Sequence, residues 1–200
     1  MKTLLKIILL SFLIFSLPIQ AQNRLDALKR QGLYLMREGR FEEAVDQFNK
    51  YIAANPRQAE GYHLRGLCFE KRIQYQYSVL DLRRARRLDP ANNEIKQDLD
   101  RVIAVWYKLL YQKIDGHKRD IAKDPNYAFS YLEIGKSYRW LEEWGNAEDW
   151  YDEYLKRDYN ASPDEIIRYT EILAKTGSIT KGERVLKIYT QRYPDDWRIW

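Results

Sequence analysis

The sequence is poor in the residues that build turns, disulfides and metal centres. Its 200 residues include nine glycines, six prolines, two histidines and one cysteine. So few turn-forming residues argue against a turn-rich β protein and against disorder. Cys68 alone can form no internal disulfide, so the fold must depend on packing. Between Leu67 and Phe69, Cys68 is expected to be a small buried residue of a helix.

Sequence signatures of catalysis and metal binding are also missing. The chain has no glycine-rich phosphate loop, no HExxH motif and no paired-cysteine spacing. His63 and His117 lie far apart in the chain. Neighbouring carboxylates such as Glu142 and Glu143 point about 100° apart on a helix, so they do not converge as an acid–base pair. We therefore expect no enzyme activity, no cofactor and no metal site.

Charge of one sign is not concentrated enough to predict a nucleic-acid partner. The formal net charge is +5. The one dense basic run contains Arg83, Arg84, Arg86 and Arg87. On a helix these arginines spread over more than one face, which is typical of a solvated surface.

The long apolar run of the sequence lies at its N-terminus. MKTLLKIILLSFLIFSLPIQAQ begins with lysines, continues with an apolar stretch that ends at Pro18, and then reaches the small residue Ala21. This order predicts a secretory signal peptide over residues 1–21, cleaved after Ala21. An uncleaved anchor is the alternative, although the run is short for a membrane-spanning helix. We expect an exported protein of a bacterial envelope, periplasmic or secreted, with no membrane span after cleavage.

The rest of the chain contains an internal repeat of 34 to 35 residues. Small residues in the first half of the unit are Gly32, Gly66 and Gly135, with Thr170 in the last unit. Large residues that open the second half are Phe41, Tyr75, Trp144 and Ile179. Small residues one helical turn beyond them are Ala44, Ser78, Ala147 and Gly182. Residues that end the unit are Pro56, Pro90, Pro125, Tyr159 and Pro194. Small residues let facing helices approach, and the residue before proline disfavours helix, so each unit predicts a helical hairpin.

This pattern resembles the tetratricopeptide repeat family, whose unit is a 34-residue helix–turn–helix. The resemblance covers residues 25 to 200 and implies an all-α, right-handed solenoid of about five repeats with a concave groove. The array occupies 22–200, with repeats at 25–58, 59–92, 93–127, 128–161 and 162–196 and a further repeat starting at 197–200. Ser162, Pro163 and Glu165 form a capping-box start for the fifth repeat. A sixth repeat that begins at the end of the sequence has two interpretations: the chain is the N-terminal interaction region of a longer protein, or its last residues pack as a short stub.

The third repeat, 93–127, is degenerate. Lys113 or Gln112 falls where the other repeats have a small residue, and apolar residues from Ile95 to Ile121 recur at helical spacing almost without a break. One interpretation is a hairpin that turns near Tyr107 to Leu109, and the other is a single long helix. The hairpin is favoured because the spacing of 34 to 35 residues between repeat ends continues unchanged across this segment.

The resemblance implies a non-catalytic scaffold, because members of this family mostly bind peptides or proteins in a groove lined by first-helix side chains. Carried over by position, the groove residues are Lys29, Leu33, Met36, His63, Leu67, Glu70, Phe129, Leu132, Lys136, Arg139, Ile167 and Glu171, with Trp140 beside them. This mixture suits a peptide with apolar and charged groups. The alternative is an envelope polysaccharide or glycan-binding module that uses the aromatic residues Tyr127, Phe129 and Trp140.

Most aromatic side chains of residues 131–155 are predicted to be buried in the core. The repeat places Tyr131, Tyr138, Trp144, Tyr151 and Tyr154 at packing positions. Trp140 and Trp150 are exceptions, since the repeat requires neither.

Overall fold

The computed structural model of the protein describes residues 22–158 and 160–196, and within these ranges every regular element is a helix. The helices are α1 (22–37), α2 (Phe41–Ala54), α3 (Ala59–Lys71), α4 (Tyr75–Leu88), α5 (Asn93–Lys123), α6 (Ala128–Trp140), α7 (Trp144–Arg157), α8 (Pro163–Thr176) and α9 (Ile179–Arg192). The predicted all-α class is confirmed. The predicted signal peptide at 1–21, Tyr159 and the start of a further repeat at 197–200 lie outside the described residues.

The described helices form hairpins at the first, second, fourth and fifth predicted repeats: α1–α2, α3–α4, α6–α7 and α8–α9. The chain divides into two compact units, and the boundary lies between Trp106 and Tyr107, inside α5. Unit 1 contains α1 to α4 and the first part of α5, and unit 2 contains the rest of α5 and α6 to α9. No helix in the described ranges is long and apolar enough to cross a membrane.

A glycine in the first helix permits close packing in the first and fourth hairpins. A Cβ atom added to Gly32 would lie 2.6 Å from Cε1 and Cζ of Phe48, and one added to Gly135 would lie 2.6 Å from Cδ2 of Tyr151. Both rings are fully buried. Each ring therefore fills the space that a larger first-helix residue would need.

The second small residue of the repeat lies on the other side of the same crossing. Ala44 and Ala147 are completely buried. Ser78 is also buried, and its hydroxyl donates a hydrogen bond of 2.8 Å to the carbonyl oxygen of Gly66. Because the hydroxyl of Ser78 is hydrogen-bonded to the facing helix, burying it costs little at a position where the first and fourth hairpins have alanine.

Each hairpin turn contains one residue in the left-handed region. The four residues and their φ angles are Gly39 (74°), Ile73 (59°), Glu142 (62°) and Gly177 (80°). Glycine adopts this conformation freely, whereas a β-branched residue is strained there. Ile73 is 73% exposed, so burial does not offset its strain.

The third repeat is one continuous helix, Asn93–Lys123, so the prediction of a hairpin that turns near Tyr107 to Leu109 is wrong. The buried positions of this helix are Ile95, Val102, Trp106, Leu110 and Ile114. They recur at intervals of seven and four residues, which keeps one helical face apolar through the segment where a turn was predicted.

Charged residues at the two crossing positions explain why the hairpin is absent. Asp100 and Arg101 stand where the first, second and fourth repeats have glycine, and Lys113 stands where the other repeats have alanine, serine or glycine. A hairpin would bring these side chains into a buried crossing, where charged groups are costly. A continuous helix keeps its backbone hydrogen bonds and leaves all three side chains exposed.

Two further predictions about the last repeats are confirmed. Pro163 opens α8, and the Ser162 hydroxyl accepts a hydrogen bond of 3.4 Å from the Glu165 amide. Tyr131, Tyr138, Tyr151 and Tyr154 are buried, as expected of core positions, and Trp144 is half-buried. Tyr151 also stacks on Tyr169, with ring centroids 5.7 Å apart and planes inclined by 4°.

We expect Gly135→Ala to lower the free energy of unfolding by about 1 to 2 kcal/mol, because the new methyl group must displace the Tyr151 ring. Helix propensity alone predicts the opposite sign. Gly145→Ala is the matched control, since Gly145 also lies in a helix but a Cβ there meets no described atom within 4 Å. That control should stabilise the protein by about 0.5 kcal/mol in urea denaturation. If both substitutions changed the free energy of unfolding equally, Gly135 would not be required for the close approach of the two helices.

We expect Ile73→Gly to raise the free energy of unfolding by about 1 kcal/mol, because glycine relieves the strain of a left-handed β-branched residue. The control is Ile188→Gly, which replaces another exposed isoleucine in the helical part of α9. It should cost about 0.5 to 1 kcal/mol. Thermal and urea unfolding of the two variants measure the difference, and a loss of stability at position 73 would refute strain there.

Candidate functional site

The first helices of unit 1 are joined by ion pairs. We call the side chains of Lys29, Glu60, His63, Glu70, Asp98 and Arg101 the unit 1 inner face. Lys29 Nζ lies 2.6 Å from Glu60 Oε1 and joins α1 to α3. Both side chains are partly exposed, so this pair contributes little stability but neutralises both charges.

Two contacts join α3 to the first part of α5. His63 Nε2 lies 2.7 Å from Asp98 Oδ2, and Arg101 forms an ion pair with Glu70. Arg101 also donates a hydrogen bond of 2.7 Å to Asp98 Oδ1. Burial alone would raise the pKa of Asp98, but hydrogen bonds from Arg101 and His63 outweigh it and lower the pKa.

His63 is buried, at 7% exposed, and faces two carboxylates on α5. Glu94 lies one turn before Asp98 and is exposed. One ligand-type atom from each of His63, Glu94 and Asp98 can be chosen so that all three lie within 4.8 Å of one another. Among the described residues, this is the group of histidine and acidic side chains that could hold a metal ion.

The first helices of unit 2 carry a similar set of pairs. We call the side chains of Lys113, Glu133, Lys136, Arg139, Glu165 and Glu171 the unit 2 inner face. Lys136 Nζ lies 3.3 Å from Glu133 Oε1 and 3.0 Å from Glu165 Oε1, so it bridges α6 to α8. Arg139 Nη2 lies 2.7 Å from Glu171 Oε2 and makes a second bridge between these helices.

Glu165 connects the unit 2 inner face to the core. Its side chain is 8% exposed, and the Tyr151 hydroxyl donates a hydrogen bond of 3.2 Å to it. Arg168 Nη1 also lies 2.7 Å from Glu165 Oε1. Burial is the main reason that the pKa of Tyr151 is raised, and the charge of Glu165 raises it further.

Glu133 is the most enclosed acidic group between α5 and α6. Lys113 pairs with one of its carboxylate oxygens and Lys136 with the other. Burial would raise the pKa of Glu133, but the hydrogen bond and charge of Lys113, aided by Lys136, lower it below the ordinary value of 4.5.

The apolar groove residues predicted from the sequence differ in exposure. Leu33, Met36, Leu67 and Ile167 are half-buried. Met36 packs against the core cluster of unit 1. Leu132 is buried, at 8% exposed, and contributes mainly to packing. Phe129 is 49% exposed and is therefore the most accessible apolar side chain of the predicted set.

Aromatic rings gather around Phe129 in unit 2. The Tyr127 and Phe129 centroids are 5.9 Å apart, and the His117 ring meets Phe129 edge-on at 5.9 Å. Tyr127 is about half exposed. This trio presents two accessible aromatic faces beside the start of α6.

The two tryptophans outside the repeat pattern lie in different settings. Trp140 is half-buried, with the Arg139 guanidinium 5.4 Å from its ring centroid. Trp150 packs against Tyr131, with centroids 5.7 Å apart. Arg139 therefore links Trp140 to the ion pair with Glu171.

Sequence reasoning missed the inner-face residues Asp98, Arg101, Lys113 and Glu133. The first three lie in the segment that departs from the repeat, so no family position could be carried over to them. The signal that could have found Asp98 is its spacing from Glu94, which places two carboxylates on one helical face.

Helical hairpins with small residues at their crossings and a left-handed residue in each turn define an all-α protein built from repeated helical hairpins. Among solved structures, the chain is similar to MamA from Desulfovibrio magneticus RS-1, with 13% identity, coverage of 86% of this chain and 97% of that chain, and a TM-score of 0.41.

Two other solved structures show similarity of the same order. YrrB, described as a TPR protein with an unusual peptide-binding site, has 15% identity over 84% of this chain and 86% of that chain, with a TM-score of 0.40. A thermophilic TPR protein from Thermus thermophilus, TTC0263, has 19% identity over 90% of this chain and 94% of that chain, with a TM-score of 0.41. No protein-family model and no curated protein matches the sequence.

We expect Glu133→Gln to lower the free energy of unfolding by about 1 kcal/mol near pH 7, less than for a fully buried pair because Lys113 is half exposed. The pKa of Glu133 is lowered on folding, so its stabilisation is present above about pH 4.5 and is lost as the pH falls through the folded pKa. The difference between wild type and variant should therefore shrink toward about pH 3 in urea unfolding.

The matched control for this comparison is Glu183→Gln, which neutralises an exposed carboxylate on α9. It should change stability by less than about 0.5 kcal/mol across the same pH range. A pH-independent loss at Glu133 would show that the side chain contributes only by packing.

Proposed function

We propose that the protein is a non-catalytic, exported scaffold that binds a peptide or protein segment on its inner faces. The observation that carries the proposal is the unit 2 inner face, where accessible Phe129 precedes a row of mutually paired charges on α6 and α8. Export is supported by the charged, apolar and small-residue order of residues 1–21.

Charge pairing within the unit 2 inner face limits what it can bind. Its cations are Lys113, Lys136 and Arg139, and its anions are Glu133, Glu165 and Glu171. A strongly charged ligand would have to break these pairs and desolvate their partners. A segment with an apolar or aromatic anchor avoids that cost, because it can contact Phe129 while hydrogen-bonding to groups that stay paired.

The same pairing supports a non-catalytic role. Glu133 and Glu165 are the enclosed carboxylates of this face, and each contacts at least one cationic side chain. The lowered pKa of Glu133 keeps it ionised near neutral pH, so it is a poor proton donor there. A carboxyl group that acts as a general acid near neutral pH needs a raised pKa instead.

Peptide selection from a displayed library tests this proposal directly. The purified protein should select sequences that share an apolar or aromatic anchor, and a synthetic selected peptide should bind with a measurable Kd. Phe129→Ala should weaken that peptide about ten-fold or more, as expected of an interface anchor.

The matched control is Ile188→Ala, because Ile188 is 47% exposed and Phe129 is 49% exposed, but Ile188 lies on α9, the second helix of its hairpin. The control should bind as wild type does. Selection of no common sequence, or equal losses in both variants, would count against binding at this face.

A second candidate function is recognition of an envelope polysaccharide or other glycan. The observation that favours it is the Tyr127–Phe129 pair, whose half-exposed rings are 5.9 Å apart and could pack on sugar faces. Titration of glycans with tryptophan fluorescence as the readout, supported by calorimetry, distinguishes the two. A glycan that binds saturably to the wild-type protein and more weakly to Phe129→Ala would favour this function over peptide binding. If no glycan gives a response, glycan recognition is refuted.

A further inference from the structure

We propose that His63, Glu94 and Asp98 form a binding site for one divalent first-row transition-metal ion that joins α3 to α5. This inference does not depend on the proposed peptide-binding function. The three donor atoms already lie within 4.8 Å of one another, and His63 Nε2 and Asp98 Oδ2 are 2.7 Å apart.

The backbone places these donors together. Glu94 and Asp98 are four residues apart on α5, so their side chains project from the same face. His63 projects from α3 toward that face and is buried, which restricts its ring. Glu94 is exposed and free to rotate about its long side chain, so it can close the remaining distance without a movement of either helix.

The charge of the site suits a divalent cation. Two of the three donors are carboxylates, the side chains that supply negative charge to a bound cation. The nearby Arg101 guanidinium opposes a cation, but it is shared between Asp98 and Glu70, and this sharing reduces its effect at the site. Lys29 of α1 is engaged by Glu60 of α3.

Arg101 also has a positioning role. It donates to Asp98 Oδ1, so that Oδ2 is the oxygen directed at His63 Nε2. A metal ion would bind Oδ2 and Nε2 with the imidazole proton moved to Nδ1, while Arg101 keeps its own contact with Oδ1. Outer hydrogen bonds of this kind fix the orientation of metal ligands.

The donor types indicate the class of metal. One imidazole nitrogen with two carboxylate oxygens suits zinc, nickel, cobalt or manganese, whereas magnesium and calcium prefer sites made entirely of oxygen. Three protein ligands would leave at least one coordination position for water or another group.

Isothermal titration of the full chain with zinc chloride tests the proposal. We expect one Zn²⁺ ion per chain, no saturation with magnesium chloride over the same range, and a rise in the unfolding midpoint that a chelator reverses. Absence of saturable Zn²⁺ binding would overturn the proposal.

Substitutions of the proposed ligands test which residues bind the Zn²⁺ ion. Glu94→Gln replaces an exposed ligand without disturbing packing and should weaken Zn²⁺ binding by about ten-fold or more. His63→Ala should abolish binding, and where this buried substitution prevents folding, the Glu94→Gln result decides. Wild-type affinity in Glu94→Gln would overturn the assignment.

His117→Ala is the matched control, because His117 Nδ1 also lies near a carboxylate, 3.8 Å from Asp120 Oδ2. It should bind Zn²⁺ as wild type does. Imidazole ¹⁵N spectra provide an independent readout: Zn²⁺ should move the Nε2 resonance of His63 and leave His117 unchanged. The reverse pattern, or loss of binding in His117→Ala, would place the ion elsewhere and refute the proposal.

Discussion

The close approach of two helices at a small residue is the constraint on which the rest of the structure depends. A Cβ at Gly32 or Gly135 would fall 2.6 Å from a buried ring, so each of these two hairpins closes only because that atom is absent. Where the crossing carries Arg101 and Lys113 instead, the hairpin does not form and α5 continues for 31 residues. One packing requirement thus determines both the regular repeats and the exception to them.

The long helix has consequences for both inner faces. Within unit 1, its Asp98 and Arg101 meet His63 and Glu70 of α3, so a departure from the repeat supplies the partners of two residues predicted to line a groove. Within unit 2, its Lys113 reaches Glu133 of α6. The charged residues Arg101 and Lys113, which disfavour a hairpin, therefore become ion-pair partners of the first helices while their side chains stay about half exposed.

Much of the fold could be predicted from residue spacing, because the recurring residue types indicate which positions must be small, apolar or helix-ending. These positions predict the four hairpins, the Ser162 cap and the buried tyrosines. The continuity of α5 was missed because the hairpin was inferred from the regular spacing of the repeats. That spacing gives no information on the free-energy cost of burying a charged side chain where two helices cross. The inner-face pairs were missed for another reason: pairing depends on distances between helices, and sequence spacing reports only positions within one helix.

The unit 2 inner face and the core share residues, and this limits how a ligand can be bound there. Lys136 contacts Glu165, Glu165 accepts a hydrogen bond from Tyr151, and the Tyr151 ring fills the crossing beside Gly135. A ligand that drew Lys136 away would leave a carboxylate that is 8% exposed with fewer partners, next to the ring that holds the hairpin closed. The proposed binding through Phe129 would leave that chain of contacts intact, so the packing requirement that shapes the hairpin supports the proposal of apolar rather than ionic recognition.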